Sequence, residues 1–227
     1  MFKKIFGILM MACAVLSFIG MIASKITVST LAIQLLFLLG GIFLVSFDNV
    51  YRKSYEEGFK ARKRQCTFVT VFCVIFWVIM LIMGIGGIYI MAASSRMQLN
   101  PYWLWLATLV FYAAPALVFS AMFDRYVKPY SACRKRFGIN DTTVHEYLGS
   151  LEKIGESNDF VIIKNSVLFF PKAFCIIPIN KIQSISVSKD MLGQKAKFIL
   201  VNKKKILVYT KQYKDVAATL DKTGVSA

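Results

Sequence analysis

The side chains that most often carry out chemistry in proteins are few and scattered in this sequence. Five cysteines and a single histidine, His145, are present. No two cysteines have C-x-x-C spacing, and one histidine leaves a zinc site short of ligands. The carboxylates are dispersed and no serine has a nucleophile-elbow context, so acid–base and nucleophilic mechanisms lack their residues. We therefore expect no catalytic residue, no metal site and no cofactor, and we predict that the protein is not an enzyme.

Basic residues are the other candidates for a site. The formal net charge is +16, but no aromatic-interleaved basic groove or helix-turn-helix pattern accompanies it, so we expect no nucleic-acid partner. Basic runs beside apolar segments face the anionic inner leaflet, at about 1 kcal/mol per Lys or Arg near the surface. The sequence therefore predicts contact with membrane lipids. The residues concerned are Arg62, Lys63 and Arg64, then Arg134, Lys135 and Arg136. Lys203, Lys204 and Lys205, at a predicted hairpin tip, are a further candidate for this contact, although a solvated turn is favoured for them.

The elements that must position these residues are mostly apolar. Four segments without Asp, Glu, Lys, Arg or His cover residues 5–24, 26–47, 65–95 and 97–123. A helix of roughly 20 residues crosses a hydrocarbon core about 30 Å thick. The sequence thus predicts four transmembrane helices. A cleaved signal peptide is the alternative for the first segment.

The distribution of positive charge predicts the orientation. Of the 28 Lys and Arg residues, all but Lys25 and Arg96 fall on one alternating side of the four segments. Basic residues in short loops stay in the cytoplasm. We therefore predict a multi-pass protein of the cell membrane with both termini in the cytoplasm.

Polar groups well inside the predicted spans are sparse. Gln34 is the amide side chain that lies well inside a predicted span. We expect it to form an interhelical hydrogen bond worth about 0.6 kcal/mol. A polar pathway lined by Gln34 is the alternative. Gly40-Gly41 and the run Gly84-Ile-Gly-Gly87 are typical of close helix packing.

The cysteines on the predicted cytoplasmic side, Cys133 and Cys175, are expected to be reduced thiols, since disulfides are rare in the cytosol. Cys133, beside Arg134, is also a candidate for palmitoylation, although an unmodified thiol is favoured.

After the last span the pattern changes. We divide the chain into a membrane region, 1–137, with a basic cytoplasmic loop at 48–65, an amphipathic linker helix at 138–158, and a β-rich module at 159–227. The module shows repeated hairpin patterns and a terminal helical segment, 212–222. In the stretch IPINKIQSISV, the apolar spacing switches from three at Ile179, Ile182 and Ile185 to two, which predicts a helical turn followed by a strand whose core face carries Ile185 and Val187.

These hairpins, the Ile-Pro-x-x-x-Ile-x-x-Ile turn at 177–185 and the closing helix resemble the bacterial pleckstrin-homology-like domains, including the YcxB-like modules that follow transmembrane hairpins. The resemblance covers roughly the last 70 residues, and four preceding spans exceed the usual two. It implies a curved β-sheet closed by an α-helix, in a bacterial protein that binds or assembles. The lipid-phosphate signature of the eukaryotic relatives is not found in the first hairpin.

The resulting fold class is a four-helix membrane region followed by a cytoplasmic pleckstrin-homology-like module. We expect a non-catalytic scaffold, assembly or accessory subunit with a protein partner or a second copy of itself. A small transporter or channel subunit is one alternative, although the spans carry no charge to mark a pathway. A membrane-embedded enzyme is the other.

Overall fold

A computed structural model of the chain describes residues 2–22, 28–57, 59–93, 101–138, 160–163, 167–190 and 193–221. The chain divides into two compact units, Met1–Tyr55 and Glu56–Ala227. The predicted linker helix at 138–158, apart from Gly138, lies outside the described residues.

The first unit is an antiparallel helix pair. It contains α1 (Phe2–Ile22) and most of α2 (Val28–Glu57). The two backbones approach closely where glycines face each other, because a Cβ atom on Gly7 would lie 2.8 Å from the carbonyl oxygen of Gly41. Near the same end, the Lys3 ammonium lies 4.2 Å from the centre of the Phe47 ring. The packing role predicted for Gly41 is confirmed.

Three helical stretches among the described residues are long and apolar enough to cross a membrane, namely Thr30–Phe47, Arg62–Tyr89 and Trp105–Phe137. They correspond to the second, third and fourth predicted spans. The first predicted span lies on α1, which is helical for 21 residues. Its passage through the bilayer stays a prediction.

The second unit begins with a helical hairpin. It consists of α3 (Phe59–Ala93) and α4 (Pro101–Met122), and α4 continues through a π-helical segment (Phe123–Val127) into α5 (Lys128–Phe137). Aromatic rings fill the contact between α3 and α4, with the Phe72 and Phe119 centroids 5.1 Å apart. Ser120 adds a polar contact by accepting a hydrogen bond of 2.6 Å from the Trp77 indole. Gly138, at φ 62°, ends α5 in the left-handed conformation that favours glycine.

The glycine run in α3 has one position at which a side chain would collide with α4. A Cβ atom on Gly87 would lie 1.4 Å from Nε1 of Trp105, whereas Gly84 has open space. The Trp105 indole donates a hydrogen bond of 3.0 Å to the Met83 carbonyl. Trp105 is thus partly packed between the helices, while Trp103 is 72% exposed.

We expect Gly87→Ala to destabilise the α3–α4 pair, because the indole must move and lose its hydrogen bond. Overpacking of this kind typically costs about 1–3 kcal/mol. Thermal unfolding of the purified chain in detergent measures the effect, with Gly84→Ala as the matched control in the same helix. Equal melting temperatures for the two variants would contradict the packing.

In the C-terminal part of the second unit, the described residues form two three-stranded antiparallel sheets. The first sheet is formed by β1 (Val161–Ile163), β2 (Val167–Phe170) and β3 (Cys175–Pro178), and the second by β4 (Ile182–Asp190), β5 (Gly193–Leu200) and β6 (Lys205–Tyr209). Helix α6 (Tyr213–Asp221) follows. We refer to residues 160–221 as the sheet module.

The core of the sheet module lies between its two sheets. All four residues of β2 are buried, and the Phe170 ring lies 5.5 Å from that of Phe198 in β5. Buried residues alternate along β5 and β6, as expected for strands with one face on a core. Val216 and Leu220 of α6 are fully buried, so the terminal helix contributes to this core.

The change of period in IPINKIQSISV is confirmed as a change of structure. A single 3₁₀ turn, Ile179–Lys181, leads into β4. Ile179, Ile182 and Ile185 are buried, but Val187 is 42% exposed. The expectation that Val187 shares the core face is wrong, since burial along β4 falls off beyond Ile185.

Candidate functional site

The predicted lipid-contact residues converge on one region of the second unit, where the ends of α3 and α5 meet the sheet module. We call this region the junction, and it is formed by contacts of Arg62, Cys133 and Arg136 with the sheet module. Each joins a helix to a strand or turn far away in the sequence.

Arg62 makes the most enclosed of these contacts. Its side chain is 1% exposed, and its guanidinium donates hydrogen bonds to the Lys172 carbonyl at 2.7 Å and to Oε1 of Gln65 at 2.9 Å. Arg62 and Gln65 share a helix face because they are three residues apart. The Tyr126 ring centre lies 5.6 Å from the guanidinium carbon. The sequence grouped Arg62 with the lipid-facing residues, and this burial places its charge inside the protein instead.

The acceptor for Arg62 belongs to a tight turn between β2 and β3. The Phe174 amide donates to the Pro171 carbonyl at 3.0 Å, and Phe174 has φ 47°. A bulky residue adopts this left-handed conformation at a cost of about 1–2 kcal/mol. Burial of the Phe174 ring, which is 4% exposed and lies 6.4 Å from the Tyr130 ring, offsets that cost.

Cys133 of α5 and Cys175 of β3 are joined by a disulfide, across a sequence separation of 42 residues. Their Cα atoms are 5.8 Å apart, within the usual range for a disulfide. Both side chains are at most 1% exposed. The expectation of two reduced thiols therefore differs from the structure, and a buried Cys133 is also a poor target for palmitoylation.

The third contact brings two of the basic runs together. The Arg136 guanidinium donates a hydrogen bond to the Lys205 carbonyl. Lys203, Lys204 and Lys205 are exposed, as are Arg134 and Lys135. In the turn that carries these lysines, the Lys203 amide donates a hydrogen bond of 2.7 Å to the Leu200 carbonyl. The basic runs at 134–136 and 203–205, which are far apart in the sequence, therefore form one basic surface.

Among the described residues, no group of three or more His, Cys, Asp or Glu side chains is placed to hold a metal ion. His145 lies outside the described residues. Gln34 lines an apolar groove in the first unit together with Ala14, Phe18 and Leu31.

The sequence did not identify the junction contacts. Each depends on a partner more than 40 residues away, and nothing in the local pattern distinguishes Arg62 from Lys63 and Arg64 except its spacing to Gln65. Comparison of the chain with protein-family models, curated proteins and solved structures gave no match.

Proposed function

We propose that this protein is a non-catalytic membrane scaffold, an assembly or accessory subunit that presents its sheet module at the cytoplasmic face. The observation that carries the proposal is the junction itself. The buried Arg62, the close pair Cys133 and Cys175, and the contact of Arg136 with the lysine turn hold the sheet module against α3 and α5. A fixed module suits a docking platform better than a freely tethered domain would.

The membrane arrangement in this proposal has four spans with both termini in the cytoplasm. It is supported by the helical state of α1 over the first apolar segment and by the one-sided distribution of Lys and Arg. The cell membrane of a bacterium is the proposed location.

The sheet module is proposed to be pleckstrin-homology-like and related to the YcxB-like modules. Two three-stranded antiparallel sheets followed by α6 support this assignment, because that family has curved antiparallel sheet closed by a terminal helix. The assignment favours binding over catalysis. The described residues add no specific support for a transporter or an enzyme.

A protein partner or a second copy of the chain would use the exposed surface of the sheet module. Leu207 of β6 is 40% exposed and lies two residues beyond the Lys205 carbonyl that Arg136 contacts. The basic turn beside it would orient such a partner against the inner leaflet, at about 1 kcal/mol per lysine.

Site-specific photocrosslinking in living cells tests this proposal. We expect a benzophenone residue placed at Leu207 to give discrete protein adducts, and one placed at the 67%-exposed Ile88 of α3 to give a different set. The Leu207 adducts should disappear when Ile185→Asp disrupts the sheet module and persist with Val187→Asp. Their absence from the intact chain, or their persistence with Ile185→Asp, would contradict the scaffold.

A further inference from the structure

A cleft of about 260 Å³ lies between the first turns of α3 and the last turns of the α4–α5 helix. Lys63 and Thr67 line one wall, and Tyr130, Ser131 and Arg134 line the other. Both cations of this lining, Lys63 and Arg134, are exposed. Two cations from separate elements thus border one concave site.

We propose that this cleft binds the phosphate of an anionic glycerophospholipid, with one acyl chain lying along α3. The inference rests on α3 crossing the membrane, and it adds a defined ligand site to the proposed scaffold. Basic pockets between transmembrane helices at the cytoplasmic side are suited to such headgroups.

The electrostatics of the cleft favour an anion. Asp124, in the π-helical segment that adjoins α5, is paired with Lys128 at 2.6 Å, which neutralises its charge. The Thr67 hydroxyl donates to the Lys63 carbonyl at 3.0 Å, so it is engaged with its own helix. The groups that would contact the phosphate are the two cations of the lining, the Lys63 ammonium and the Arg134 guanidinium, with the hydroxyl of exposed Ser131 as a further donor.

The surface next to the cleft indicates a lipid rather than a soluble phosphate. A second depression shares Lys63, Thr67 and Val71 with the cleft and adds Arg64 and Phe68. Residues 63, 67 and 71 are successive positions on one helix face, and they run from basic to hydroxyl to apolar over about 12 Å.

This order matches the parts of a phospholipid. The basic position would face the phosphate, the hydroxyl position the glycerol, and the apolar position the acyl chain. Phe68, Val71 and Val74 are exposed, by 54%, 46% and 56% respectively. An acyl chain would cover these side chains at the boundary where Arg62–Tyr89 begins as a candidate span.

Native mass spectrometry of the delipidated full chain in detergent tests the site. The probes are phosphatidylglycerol and phosphatidylcholine with identical acyl chains. We expect one phosphatidylglycerol to bind the wild-type chain about tenfold more tightly than phosphatidylcholine, and Lys63→Gln/Arg134→Gln to remove that preference. The matched control is Lys181→Gln/Lys214→Gln, two exposed lysines of the sheet module, which should change the affinity by less than about twofold.

Ser131→Trp provides an independent variant, because it fills the cleft without removing a charge, and it should weaken phosphatidylglycerol binding like the double variant. Three results would overturn the proposal. They are an unchanged preference in Lys63→Gln/Arg134→Gln, an equal loss in the lysine control, or full displacement of the lipid by glycerol 3-phosphate. Lipid binding is measured on the isolated chain without a protein partner. A negative result here would therefore be distinguishable from a failure of the scaffold proposal.

Discussion

Replacing Ile185 with Asp is expected to unfold the sheet module while the membrane helices stay inserted. Ile185 is 3% exposed and is paired across the ladder with Phe198, which is fully buried. Placing an unpaired carboxylate in such a core costs several kcal/mol, comparable with the whole stability of a small domain. Limited proteolysis of membranes should therefore release or degrade the region after α5 in this variant alone.

Val187→Asp is the matched control for this experiment. It introduces the same charge two residues further along β4, at a position that is 42% exposed, where a carboxylate keeps its hydration. We expect its protease resistance to equal that of the wild-type chain. If Ile185→Asp resisted protease as well as Val187→Asp does, the packing of β4 against the core would be wrong.

The second large effect is expected at Arg62. Arg62→Met keeps much of the side-chain volume but leaves the Lys172 carbonyl and Oε1 of Gln65 without this donor. A buried polar group that loses its partner costs about 1–3 kcal/mol. We expect faster amide hydrogen exchange in β3 and in the Pro171–Phe174 turn, with little change in β5.

Two variants complete the test of Arg62. Arg64→Met removes an exposed charge from the same helix turn and should leave exchange in β3 unchanged. Arg62→Lys keeps the charge but lacks the planar fork that reaches two acceptors, so its exchange rates should lie between those of wild type and Arg62→Met. Identical exchange in all four proteins would mean that Arg62 does not hold the sheet module.

Local patterns predicted much of the fold. The switch of period at Ile179 and Ile185 gave the turn and strand, because side-chain spacing reports directly on backbone geometry. Apolar length gave the helices α2, α3 and α4, since the bilayer sets a minimum number of residues. The prediction for Val187 was wrong because alternation along a strand does not show where burial of that face ends. The extent of burial depends on which other elements pack against the strand.

The junction could not be predicted in the same way. Arg62, Lys63 and Arg64 are equivalent as a basic run, and the burial of Arg62 depends on the distant Lys172 carbonyl and Tyr126 ring that surround its guanidinium. Likewise, Cys133 and Cys175 have no spacing motif, and their pairing follows from the docking of β3 against α5.

The bridge between Cys133 and Cys175 also bears on the environment of the sheet module. A cytoplasmic location favours free thiols, whereas the two residues are within disulfide reach, with Cα atoms 5.8 Å apart. The proposed cytoplasmic location and the short distance between the two cysteines are compatible if the thiols are reduced in the cell and form the disulfide on oxidation. Proximity, rather than redox state, is what the docking determines.

The most direct test of the docked sheet module is therefore cysteine mapping in native membranes. Membranes are treated with a mild oxidant, free thiols are then alkylated under denaturing conditions, and non-reduced peptides are identified by mass spectrometry. The docked arrangement predicts a cross-linked peptide pair containing Cys133 and Cys175, and slow alkylation of both thiols in reduced, undenatured membranes because each is at most 1% exposed. Rapid alkylation of Cys133 in undenatured membranes, with no Cys133–Cys175 peptide after oxidation, would contradict it.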